Sequence, residues 1–243
     1  ASSGAHPYGP RSEAEPDAAP QKDEAPRLLA PPAPQPGAVV PETSVSAAAD
    51  RLRATPDGRS RDIVLGLTAD VQSAATAIVL ARALAPGARV VVVDLAFANP
   101  RLAALSGDPT APGVADLVQG RASFGAVMAR DRGSRAMVVG AGRDASDIAS
   151  VVKSPRLKPA LDALAHANDH IIIDGGTLGE IPVESLASLA RRVILAVPAD
   201  AADAAREASR LLQEAGIAES AIITAPAKRA REPGSNVPEP QAA

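Results

Sequence analysis

The chain has 243 residues, a formal net charge of -3 and 46% hydrophobic content, which suffices for one substantial core and not two large ones. Aromatic residues are limited to Tyr8, Phe97 and Phe124, and cysteine is absent. The composition therefore excludes base-stacking platforms, disulfides and thiolate metal sites, and no strongly basic surface argues for nucleic acid.

Residues 1–45 are dense in Pro, Ala, Glu and Ser, with "LLAPPAPQPGAVVPE" as the extreme, and read as a disordered or semi-extended linker. The start "ASSGAHPYGP" has neither an initiator Met nor a signal-peptide plan, so a segment of a longer protein is expected. From residue 46 to 225 the pattern changes to short apolar runs alternating with helical segments. Residues 62–68 ("DIVLGLT"), 89–94 ("RVVVVD"), 136–140 ("AMVVG"), 170–174 ("HIIID"), 192–197 ("RVILAV") and 220–224 ("SAIIT") read as strands. Their continuous Val/Ile/Leu character suits strands covered on both faces. Helices are expected over 73–85, 155–167, 183–191 and 202–215. The alternation predicts an α/β fold, a mostly parallel sheet with helices on both sides. A second disordered tail is expected over 226–243; its Lys228, Arg229 and Arg231 read as solvated. No apolar run reaches membrane-spanning length, and His6, His166 and His170 read as surface histidines.

Ligands of such sheets bind beyond the carboxyl ends of the strands, where "TADVQS", "DLAFANP" and "DGGTLGE" fall. A phosphate loop GxxxxGK[ST] needs glycines to curl its amides, a lysine for the phosphates and a hydroxyl for magnesium. Aligned on helix 73–85, the glycine positions hold Asp70 and Gln72, with Val71 between them; the lysine position holds Ser73 and the hydroxyl position Ala74. The nearest lysines are Lys22 and Lys153. Asp70 is expected to cap the helix and so to occupy the anion site itself. Asp94 and Asp174 each end a buried strand, where either a magnesium ligand or a turn residue is expected. Asp94 has no acidic companion along the chain until Asp108, so a paired-carboxylate hydrolase is not suggested.

From about residue 47 to 224 the chain resembles the cytoplasmic P-loop domain of bacterial tyrosine kinases, the domain of polysaccharide co-polymerases that govern exopolysaccharide chain length and export. The segments that carry the resemblance are "RLRATPDGRSRDIVLGLTA", "VVVVDLAFANPRLAALSGDPTAPGVADLVQGRAS" and "GAGRDASDIASVVKSPRLKPALDALAHANDHIIIDGG". The departures fall on the chemistry. The lysine-bearing loop is gone, Ala96 replaces the second aspartate of the Asp-x-Asp loop, and of the third motif Asp174 remains. The ring-forming Glu-x-x-Arg-x-x-Arg motif is reduced to Arg53, with Ala47 and Asp50 at the other positions. The family's C-terminal tyrosine cluster is missing, and Tyr8 is the chain's single tyrosine. The resemblance thus implies a catalytically dead domain at the inner face of the plasma membrane, reaching the membrane through a parent segment or partner. It would contact proteins of a polysaccharide polymerisation or export complex, with no nucleotide, magnesium or other cofactor. The alternatives are an active or partner-completed tyrosine kinase that uses ATP and magnesium, and a ParA/MinD-like positioning ATPase.

Overall fold

The computed structural model describes residues 44–55, 58–71, 73–142, 148–217 and 219–224. The expected tails, with Tyr8 and His6, lie outside these residues, as does Gln72, except that Ser44 and Val45, placed in the linker from sequence, cap and begin a helix.

Seven strands form one sheet: β1 (Ser60–Gly66), β2 (Val90–Asp94), β3 (Met128–Arg130), β4 (Met137–Val139), β5 (His170–Thr177), β6 (Arg192–Val197) and β7 (Glu219–Thr224). Their order is β3-β4-β2-β5-β1-β6-β7. Every pairing is parallel except that of β3 with β4. All six expected strands form. β3 was not expected: "MAR" carries no apolar run, and it is a strand because it pairs with β4.

The eight helices among the described residues are α1 (Val45–Arg53), α2 (Ser73–Leu84), α3 (Val114–Val118), α4 (Phe124–Val127), α5 (Ile148–Val152), α6 (Leu157–Ala167), α7 (Val183–Leu189) and α8 (Ala202–Glu214). The four expected helices correspond to α2, α6, α7 and α8. Alternation along the strands sorts the core into two layers. Val90, Val92, Ile172 and Ile194 face α1 and α2. Val91, Val93, Ile171, Ile173 and Val193 face α3, α6, α7 and α8. Burial on both faces is what makes the strands read as unbroken aliphatic runs.

A half-buried ion pair fixes one part of the periphery. Arg82 of α2 donates from Nε and Nη2 to the two carboxylate oxygens of Asp131, at 2.9 and 2.8 Å, and joins α2 to the β3–β4 hairpin. Asp131 is buried, and its hydrogen bonds from the Arg82 guanidinium hold it below the usual carboxylate range. Arg82→Met would leave that carboxylate, which Ser134 and the Gly133 amide also hold, without its cation, and we expect a loss of about 2–3 kcal/mol in chemical denaturation. Arg82→Lys should recover less than half, because an ammonium cannot reproduce the two-pronged contact. Full recovery by lysine would show that charge alone matters.

His170 corrects a sequence expectation. It is 2% exposed and hydrogen-bonds through Nδ1 with Ser60 Oγ at 2.9 Å, and burial lowers its pKa from 6.5. Its position as the first residue of a strand at the centre of the sheet takes it inside; His166, on the outer face of α6, stays exposed.

Candidate functional site

β1, β2 and β5 lie side by side, and their carboxyl-terminal parts with the loops that follow bring the expected site residues together. After Gly66 the chain turns tightly, with Val71 N–H donating to the Thr68 carbonyl at 3.0 Å. A Cβ on Gly66 would lie 2.8 Å from the Val71 oxygen and 3.3 Å from the Thr68 oxygen, so the strand must end in glycine for this turn to fold over it. The turn presents carbonyl oxygens to the strand end and uses the Val71 amide internally. Phosphate loops do the reverse, directing several amides at one point.

Asp70 stands on the outside of this turn, exposed, and among the described residues no amide of α2 donates to it. The expected cap contact is absent among the described residues. The occupant of the helix start is Ser73 instead: it is 6% exposed, and its Oγ donates to Asp174 Oδ1 at 2.5 Å. Ala74 is buried in the core beside it, and Val71 packs against the same cluster.

Asp94, the last residue of β2, and Asp174 are register partners, and both are fully buried; β5 does not end at Asp174 as expected but continues to Thr177, where it pairs with Gly66 of β1. Nothing along the chain hints at this pairing, since 80 residues separate the two; knowing that the strands are adjacent would have revealed it. Asp94 accepts three backbone amides: Ala96 at 3.1 Å on Oδ1, and Arg101 at 3.2 Å and Leu102 at 3.0 Å on Oδ2. It thereby holds the loop that follows β2. Asp174 Oδ1 accepts Gly176 N–H at 3.1 Å as well as the Ser73 hydroxyl. Its Oδ2 is buried with no hydrogen-bond partner. Glu180, beyond the turn, accepts Thr177 N–H at 3.1 Å on Oε1, and its Oε2 is also buried without a partner. A side chain on Gly176, whose φ is +72°, would collide with that oxygen.

Burial, reinforced by the charge of Asp174, pushes Asp94 up to about 7 despite its three amides. Burial likewise raises Asp174, helped by Glu180 and opposed by Ser73 and Gly176. Among the described residues no Arg or Lys side chain pairs with either aspartate, and no three His, Asp or Glu side chains converge as metal ligands. The arrangement can hold loops and a proton. Arg53, the remnant of the ring motif, donates within the chain to Asp50 Oδ1 at 2.6 Å and to the Ala83 carbonyl, and so joins α1 to α2.

No family model matches the chain, and no curated protein matches it. Solved structures do. The kinase domain of VpsO aligns at 21% identity and a TM-score of 0.68, covering 75% of this chain and 92% of its own. The kinase domain of the Escherichia coli tyrosine kinase ETK aligns at 16% identity and a TM-score of 0.64, covering 76% and 77%. The septum site-determining protein MinD of Pyrococcus horikoshii, solved with Mg-ADP, aligns at 21% identity and a TM-score of 0.52, covering 68% and 69%. The fold is therefore the one shared by bacterial tyrosine-kinase domains and MinD-type proteins, a mostly parallel sheet between two helical layers.

Proposed function

We infer that this chain is a non-catalytic counterpart of the bacterial tyrosine-kinase domain, acting by protein contact in the production, chain-length control or export of extracellular polysaccharide. It would do so at the cytoplasmic face of the plasma membrane. One observation carries the non-catalytic half: at the position where a nucleotide-binding relative needs a lysine, Ser73 bonds its hydroxyl to the buried carboxylate of Asp174. Phosphate binding requires converging amides and a cation. This rim offers carbonyl oxygens on the turn and the carboxylates of Asp70, Asp94, Asp174 and Glu180. The residues present do not fit a nucleotide with its magnesium. The polysaccharide half is supported by the resemblance of the three quoted segments, together with the shared fold.

The test is thermal unfolding of the full chain with millimolar Mg-ATP or Mg-ADP. A ligand at a hundred times its dissociation constant would add about 2.7 kcal/mol of stability; we expect no change, and no tyrosine phosphorylation above a mock preparation. A clear shift with either nucleotide, or phosphotransfer that survives repurification, would overturn the reading.

A further inference from the structure

We propose that Asp94 and Asp174 share one proton, and that its loss to solvent loosens three loops together, making the pair a proton-operated latch at the carboxyl end of the sheet. The geometry leads there by hydrogen-bond accounting. Of the four carboxylate oxygens, three accept protein donors; Asp174 Oδ2 accepts none and is buried. Two carboxylates abreast in a dry site, with no described cation against them, cannot both hold charge cheaply. The amides of Ala96, Arg101 and Leu102 favour charge on Asp94 and leave Asp174 Oδ2 as the one oxygen free of donors, while burial and the neighbouring charge raise Asp94 as well, so the proton belongs to the pair.

The groups around the pair reinforce this. Glu180, from the loop after β5, adds a like charge; α2 contributes the neutral Ser73; the loop after β2 contributes backbone amides, with the Arg101 side chain exposed. The pair is fastened to the loop 95–102, to the start of α2 and to the turn at Gly176. When the proton leaves to water, repulsion between the two carboxylates works against all three attachments.

The folded chain keeps this proton to higher pH than the unfolded chain, whose aspartates ionise near 3.8. The stabilisation is complete below that value and is lost as pH rises through the raised value of the pair. His170 acts in the opposite sense, but its effect is confined to pH below 6.5. Asp62, which burial raises to about 6, acts in the same sense as the pair, so the range above about 7 is the one that reports the pair.

The experiment uses the full chain labelled with carbon-13 aspartate. One side-chain carboxyl carbon of the pair should titrate between about pH 6 and pH 8, and over that range amide protection at Ala96, Arg101, Leu102 and Gly176 should fall about tenfold relative to Ile172, after correction for intrinsic exchange. Asp174→Asn should abolish the pH dependence of those four amides. Both carbons reaching their charged shifts below about pH 5, or protection that stays constant while the pair titrates, would overturn the proposal. The wild-type carbon titration decides the first point even where the variant fails to fold.

Discussion

Asp94→Asn is expected to lose about 2–3 kcal/mol of folding stability near pH 6, whereas Asp174→Asn should change it by less than about 1 kcal/mol there and gain about 1–2 kcal/mol near pH 8.5. The two substitutions remove the same atom from neighbouring, equally buried residues, so the asymmetry rests on their hydrogen bonds. An asparagine at 94 turns one amide-accepting oxygen into a donor, and whichever way it is placed at least one of the Ala96, Arg101 and Leu102 amides loses its acceptor. An asparagine at 174 keeps its oxygen for Ser73 and Gly176 and puts the amide nitrogen where Oδ2 has no partner. At pH 8.5 it also removes the repulsion between the pair. Urea denaturation at the two pH values measures all four numbers; equal losses for both variants would contradict the hydrogen-bond account.

The second large effect concerns packing. Gly113→Ala should cost about 3 kcal/mol or more, or prevent folding. Its φ of -122° suits any residue, so the cost is steric. A Cβ there would run into the Gly140 carbonyl and the Gly142 amide and lie 2.6 Å from the Ala141 carbonyl carbon. None of these atoms can swing aside, because Val114 and Ala115 donate to the Gly140 and Ala141 carbonyls at 2.8 and 3.0 Å. Asp116, which accepts Gly113 N–H at 2.9 Å, fixes the same junction from α3. Gly125→Ala is the control: nothing lies within 4 Å of its added carbon, and in helix α4 alanine should stabilise by roughly 0.5–1 kcal/mol. Thermal unfolding of both variants compares them directly, and similar midpoints would contradict the steric argument.

The central strands were legible in the sequence because a strand covered on both faces writes its burial into every residue: "VVVV" and "III" need no partner to be recognised. α2 and α6 were legible for the same reason, through periodicity. What the sequence withheld is set by register and by partners far along the chain. The β3 strand exists through pairing with Met137–Val139, the burial of His170 follows from its place at the head of β5, and Asp94 meets Asp174 because β2 lies beside β5. Asp70 misled for a related reason: its sequence position fits a cap, but the turn over Gly66 leaves its carboxylate outside while Ser73 turns inward. Local rules state what a residue can do, and the topology selects which of these it does.

The strand order has a further consequence, for the way the chain acquires its structure. β1 is the first strand in sequence, yet both of its neighbours, β5 and β6, lie more than a hundred residues downstream; Ser60 is paired with His170 and Asp62 with Arg192. During synthesis β1 therefore emerges with neither edge satisfied. The middle of the sheet can close only once β5 has inserted between β1 and β2, so the long-range loop must be formed before its contacts repay the entropy. A chain built this way folds slowly and late. Its exposed aliphatic β1 and α2 must be shielded from other chains until the C-terminal half arrives.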